Sequence, residues 1–311
     1  VLVSAIQSVI VFLAIAVVIL IIGLLTSWID RKVTALVQAR VGPPWFQPVA
    51  DILKLLGKET LVPEGHGRTV FLLAPLFGLA GIMIAAVLLG QALLRPDVGF
   101  IGDSIVLVYL LIVPTISLII GASASGNPQA AVGASREMKL IMGYELPYLI
   151  VIATIIYKSG FDLRLGSIIA AQAQNGMNIA SISGVIGFIV LLLSTQAKLG
   201  LVPFDMPEAE QELMGGIITE YSGPPLAVIK ITKMMLLAVM PLFMVALLLG
   251  GIRLEWISIV WSVVKYVVII VLIVLIRNTN PRIRIDQAVK FFWGPVTILA
   301  LVGLVLAVGG L

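Results

Sequence analysis

The chain contains no cysteine and a single histidine, His66. Without cysteine it can form no disulfide, thiolate zinc site or cysteine-bound iron–sulfur cluster. With one histidine it can build neither an all-histidine metal site nor a haem held by two histidines. Charge is scarce too: 12% of residues are Asp, Glu, Lys or Arg, against about a quarter in soluble domains. A soluble domain is therefore excluded. No redox centre, cofactor or metal is expected within this chain, and no nucleic-acid partner.

What the chain has in abundance is apolar sequence. Hydrophobic residues make up 60% of it, and the mean hydropathy is +1.15. Apolar runs near bilayer length predict an all-α polytopic membrane protein, a single integral membrane domain over 1–311. About eight transmembrane helices are expected, at roughly 5–26, 70–94, 104–122, 138–157, 182–197, 225–249, 256–276 and 291–310. The first run has no basic segment before it and no small-residue cleavage pattern after it, so it reads as a span rather than a signal peptide. The fifth is short and is interrupted by Gly200 and Pro203, which predicts a helix that stops inside protein rather than in open lipid. Met234, Met235, Met240 and Met244 are read as packing residues, and so are glycine pairs such as Gly78 with Gly81.

Charge between the spans predicts sidedness. The loops after spans one, three, five and seven, with the adjoining helix ends, hold fifteen of the 20 basic residues. The other side has Arg95, Lys158, Arg164 and Arg253, and Lys265 falls inside span seven. The positive-inside rule then places the charged loops in the cytoplasm and both termini outside a multi-pass plasma-membrane protein. Lys265 reads equally as a member of an ion relay or as a side chain snorkelling to an interface.

Three stretches carry candidate chemistry. In the first charged loop, Pro43 and Pro44 break the chain and Pro48 can open a new helix. Leu and Ile at helical spacing opposite Asp51 and Lys54 predict a short amphipathic helix over about 48–60, on the membrane surface or under a partner. In the second stretch, Glu145 enters an apolar span, where a carboxylate is normally paired or on a water path. Arg136 is its nearest partner in sequence.

The third stretch is a loop over about 198–223, which contains five of the 16 acidic residues: Asp205, Glu208, Glu210, Glu212 and Glu220. A helix starting at Pro207 would place Asp205, Glu208 and Glu212 on one face, with Asp205 or Met206 as its cap. Carboxylates crowded in a low dielectric have their pKa values driven upward and apart, which suits them to pass protons. A proton relay, an electrostatic docking patch and a solvated loop are all open on residue types alone.

Two of these stretches together resemble one family. R-V-G-P-P-W-F-Q-P-V-A-D-I-L-K-L-L-G-K-E (40–59) and P-F-D-M-P-E-A-E-Q-E-L-M-G-G-I-I-T-E-Y-S-G (203–223) look like two signatures of the H subunit of bacterial respiratory complex I and its relatives. R-E-M-K-L-I-M-G-Y-E (136–145) is similar to a third, weaker one. Order, spacing and span number agree along the whole chain. Quinone-reducing members usually read N-R-A-P-F-D-L-P-E-G-E-S-E-L. Here Ala197–Val202 precede Pro203, Ala209 and Gln211 replace Gly and Ser, and the loop between Gly42 and Gln47 is shorter. These departures resemble the membrane anchor subunit of group 4 membrane-bound [NiFe] hydrogenases, of the archaeal energy-converting and formate hydrogenlyase type.

That resemblance implies an anchor and energy-coupling subunit of a respiratory membrane-bound hydrogenase complex. Ferredoxin-driven proton reduction would be linked to H+ or Na+ translocation. The [NiFe] centre and iron–sulfur clusters are expected in partners: hydrogenase large and small subunits and a ferredoxin-like subunit of the peripheral arm. Antiporter-like membrane subunits are further expected partners. By matching position, Asp205, Glu208, Glu210, Glu212 and Glu220 would lie in the loop under the peripheral arm, and Arg136 and Glu145 at the entry to the central polar path; these seven, with Lys265, are the candidates for the ion path. Arg40, Gln47, Asp51, Lys54 and Glu59 would lie in the arm-docking surface. The alternatives are the quinone-chamber subunit of complex I, the equivalent subunit of a sulfane-sulfur reductase, and a free-standing secondary transporter.

Overall fold

The computed structural model describes residues 2–63, 67–252 and 256–310, apart from the side chains of 2–8, 210, 256 and 257. His66 and Arg253 thus lie outside the described residues, and of Glu210 only the backbone is described.

In hydrocarbon a backbone must satisfy its own N–H and C=O groups, so the apolar runs become helices. In chain order these are α1 (Leu2–Val37), the surface helix α2 (Gln47–Leu56), α3 (Arg68–Leu94), α4 (Asp103–Leu110), α5 (Val113–Ala124), α6 (Pro128–Lys158) and α7 (Leu165–Asn175). There follow α8 (Ile182–Lys198), the four-residue α9 (Glu210–Leu213), α10 (Gly223–Leu248), α11 (Trp256–Thr279), α12 (Ile285–Phe291) and α13 (Thr297–Val308). Seven segments among the described residues are long and apolar enough to cross a membrane, counting α4 with α5 and α12 with α13 as one each. With the shorter α8 they make the expected all-α polytopic fold. At 17 residues, α8 is about 25 Å long, short of a ~30 Å hydrocarbon core. It ends on a fully buried Lys198 side chain, inside protein.

The third expected span divides in two. Pro114 sits in the first turn of α5, where it has no N–H to bond back into α4, so the run breaks at Leu111 and Ile112. The last span is also irregular. A π-helical turn over Phe292–Val296 joins α12 to α13 around Pro295, and Thr297 Oγ1 donates to the Phe292 carbonyl at 2.6 Å.

The core sits around α10, which beyond Lys233 is apolar on every side and buried almost throughout. Met234, Met235, Met240 and Met244 are all buried in it, as packing residues. The helices α1 and α11 stand at the periphery and are tied together by Thr26 and Tyr266, whose hydroxyls are 2.6 Å apart. Val17, Val18 and Ile21 of α1 face outward. Small residues bring α3 against α5: a Cβ added at Gly81 would lie 2.6 Å from Val113 Cγ1.

The surface helix forms where its pattern placed it but is shorter than expected, closing at Leu56 with Gly57 as its C-cap. Ile52 and Pro48 turn inward, while Val49, Leu53 and Leu56 remain on the outer face.

Candidate functional site

The segment between α8 and α10 does not form the single helix that the 205–208–212 spacing predicts. Met206–Glu208 is one 3-10 turn, α9 is four residues long, and Gly216–Ile218 is a second 3-10 turn. Ala209, at φ −54° and ψ 96°, interrupts the helical path between the first turn and α9. The three carboxylates consequently share no face, and each meets a cation from a different part of the fold. Asp205 receives Arg282 in a bidentate pair, Nε to Oδ1 at 2.6 Å and Nη2 to Oδ2. Glu208 pairs with Lys233 of α10, and Glu212 with Arg136 of α6 at 2.5 Å. Separate pairing avoids the repulsion of three like charges on one helix face. Asp205 does stand at the cap position, but its carboxylate is engaged by Arg282 and makes no cap hydrogen bond.

This arrangement also overturns the expected upward pKa shift at Glu212. The hydrogen bond and charge of Arg136 hold the Glu212 carboxyl below the usual carboxylate range. Glu220 accepts from Asn127 Nδ2 at 2.5 Å, next to the start of α6. The loop lies tightly on α6: a Cβ at Gly133 would sit 2.7 Å from the Ile217 nitrogen.

Glu145 has a different partner from the one its sequence neighbourhood suggests. Nine residues apart on one helix, Arg136 and Glu145 point about 180° from each other, roughly 13 Å apart along the axis. The actual partner is Lys198, at the C-terminal end of α8. Its Nζ lies 2.7 Å from Glu145 Oε1, with the lysine side chain fully buried and the carboxylate 14% exposed. Lys198 is the one cation within ion-pair range of Glu145 among the described residues. The ammonium also stands 4.3 Å from the centre of the Tyr148 ring, a cation–π contact. The Tyr148 hydroxyl, Ser194 Oγ and Gln196 Oε1 are buried without a hydrogen-bond partner among the described residues. Together these groups make a concentrated patch of unsatisfied polarity inside an apolar bundle.

A small cavity of about 40 Å³ lies between Lys198 and the loop. On the scale of ~10–15 Å³ per water, that is room for about three or four. Lys198, Glu137, Thr115, Glu208 and Lys233 are among its lining residues. Glu137, buried on α6, was not among the sequence candidates. A signal for it existed: it lies eight residues, about two helical turns, before Glu145. The chain thus sets out titratable groups in series, from Glu208 and Lys233 at the loop, through Glu137 at the cavity, to Lys198 and Glu145 in the interior.

A second, much larger cleft of about 1010 Å³ opens beside the loop, between α1, α10 and the end of α11. Asp30 and Arg277 form a two-bond pair on its wall, at 3.0 and 2.7 Å.

The residues expected in a docking surface are scattered rather than gathered. Asp51 is held by Arg31 at 2.6 Å and by Gln47 at 3.0 Å. Burial alone would raise the Asp51 carboxyl, but the hydrogen bonds from Arg31 and Gln47, with the charges of Arg31 and Lys230, bring it below its ordinary value. Lys54, Glu59 and Arg40 are exposed, and the Glu59 backbone carbonyl accepts from Ser222 ahead of α10. Lys265 donates to the Leu249 carbonyl at 2.7 Å, just beyond the last residue of α10. Sixteen residues of helix, about 24 Å, separate that carbonyl from Lys233, so Lys265 is far from the carboxylate series.

Comparison with known proteins agrees with this architecture. The profile of the NADH dehydrogenase family matches residues 9–308. The H subunit of the NADH-quinone oxidoreductase of Anoxybacillus flavithermus is 34% identical over 317 residues, covering 96% of this chain and 93% of that one. The same subunit of Bacillus cytotoxicus is 34% identical, covering 95% and 92%. Among solved structures, a chain of the membrane-bound sulfane sulfur reductase, an archaeal respiratory membrane complex, superposes with a TM-score of 0.85 at 27% identity, covering 96% of this chain and 98% of that one. With its bundle of apolar helices, its charged loop and a family match over nearly its full length, the chain belongs to the NADH dehydrogenase family of membrane subunits, the H subunits of complex I-like oxidoreductases.

Proposed function

We propose that this chain is the membrane anchor and energy-coupling subunit of a membrane-bound hydrogenase-type respiratory complex. Its acidic loop receives the peripheral redox arm on the cytoplasmic side, and its interior carries ions driven by the redox reaction. The single observation that carries this reading is that Glu208, Lys233, Glu137 and Lys198 line one small cavity, with Glu145 paired to Lys198 behind it. A buried carboxylate–ammonium pair on a polar path can change protonation when a neighbouring charge changes. The chain has no cysteine with which to hold an iron–sulfur cluster, so the [NiFe] and iron–sulfur chemistry belongs to partner subunits, and antiporter-like subunits continue the membrane arm.

The hydrogenase assignment rests on the departures around Pro203 and on the shortened loop before Gln47. A second reading, the equivalent subunit of a sulfane sulfur reductase, is favoured by the 98% coverage of that structure's chain. Both give this chain the same role and differ in the terminal acceptor. Purifying the complex through a tag on this chain and identifying its partners separates them. A large subunit with two CxxC pairs and hydrogen evolution from reduced ferredoxin are expected. Polysulfide reduction without hydrogen would select the second reading, and quinone reduction would overturn both.

A further inference from the structure

The large cleft has a charge balance that the ion path does not account for. Six cations line it: Arg31, Arg40, Lys230, Lys233, Arg277 and Arg282. Four of them are answered by carboxylates. Arg277 pairs with Asp30, Arg282 with Asp205, Lys233 with Glu208, and Arg31 turns to Asp51. Arg40 and Lys230 have no carboxylate within ion-pair distance among the described residues. Lys230 acts on Asp51 only at a distance, and Arg31 already holds that carboxylate.

The cleft is amphiphilic along its depth. On α10, Lys230 and Lys233 stand nearer the loop, while Met234 and Leu237 carry the wall deeper into the bundle. From Lys230 to Leu237 is two turns, about 10 Å. Leu199, Leu201 and Val202 supply apolar surface from the other side. Unanswered cations at the rim with an apolar wall leading inward suit an anionic amphiphile that enters from the membrane.

We propose that the cleft binds an anionic phospholipid, with its phosphodiester held by Arg40 and Lys230 and an acyl chain lying along Met234 and Leu237. A phosphate oxygen takes charge-assisted hydrogen bonds from both side chains, while a zwitterionic lipid brings its own cation and a neutral quinone leaves both side chains unanswered. The proposal does not depend on which redox partner the chain serves. Free phosphate shares the head chemistry but would make no use of the apolar wall.

The test uses the purified, delipidated complex in detergent, with lipid retention read by native mass spectrometry. Phosphatidylglycerol is expected to be retained at least about tenfold over phosphatidylcholine, since one charge-assisted bond accounts for a factor of about ten or more. The double variant R40Q/K230Q should lose that preference, R40K/K230R should keep it, and K139Q, an exposed cation outside the cleft, should leave it unchanged. Equal retention of the two lipids, or an unchanged preference in R40Q/K230Q, overturns the proposal. Displacement of the lipid by millimolar inorganic phosphate overturns the lipid as the source.

Discussion

Lys198 is the residue on which the interior turns. Its side chain is fully buried, with Glu145 at 2.7 Å and the Tyr148 ring beneath it. Removing one partner of such a pair leaves the other charge in low dielectric, at a cost of about 3–5 kcal/mol, whereas removing both can be nearly neutral. Lys198→Met alone is therefore expected to lower the thermal midpoint in detergent sharply, and Lys198→Met with Glu145→Leu to recover most of the loss. Strictly additive losses would show that the two side chains are not coupled. A second residue-scale expectation concerns Asp51. Its carboxyl is depressed in the folded protein, so across the acid range between its folded and ordinary pKa the folded state binds fewer protons than the unfolded chain. Its contribution is present above the ordinary carboxylate pKa and is lost as pH falls through the folded value. Asp51→Asn should cost about 0.5–1 kcal/mol at pH 7, as for a partly exposed pair. The gap from wild type should close at the acid end of a pH series of unfolding curves. A gap that widens toward acid would have the wrong sign.

At the scale of elements, α6 organises the site. Asn127 caps its start, Arg136 holds the loop, Glu137 faces the cavity and Glu145 faces Lys198. Gly133 is where the loop rests on this helix. Gly133→Ala would drive a Cβ into the backbone at Ile217, and an overpacked contact of this kind costs about 1–3 kcal/mol. Gly143→Ala, whose nearest neighbour would be 3.8 Å away, should be neutral or slightly stabilising. Comparing the two midpoints isolates the loop contact, and equal effects would mean that the loop yields freely.

The helices of this fold could be read from sequence because each apolar run satisfies its own backbone, a local property. The loop could not. Asp205 and Glu212 find their cations 77 and 76 residues away. Spacing within the loop cannot register such partners, and they outweigh a shared helix face. The same blindness assigned Arg136 to Glu145. A partner near in sequence was available, while Lys198, on another helix, was the one near in space. Glu137 differs, because its helical register with Glu145 was present in the sequence and only its burial was not.

At the scale of the whole molecule, charged groups line two hollows that share Asp205, Glu208 and Lys233: a small one reaching Lys198, the partner of Glu145, and a wide one that also holds Arg31, Arg40, Lys230, Arg277 and Arg282. The inner series makes a division of labour that sequence spacing alone could not make. Under the proposed function, Glu212, exposed and clamped by Arg136, is assigned to loop docking, and Glu137 at the cavity and Glu145 beside Lys198 are assigned to ion movement. Ion translocation per redox turnover, measured on the intact complex in sealed proteoliposomes, tests this most directly. Glu145→Gln is expected to assemble and keep electron transfer while translocation falls by about tenfold or more, as for loss of an essential proton-transfer group. Glu212→Gln should translocate as wild type does. Normal translocation by Glu145→Gln would contradict the account at its centre.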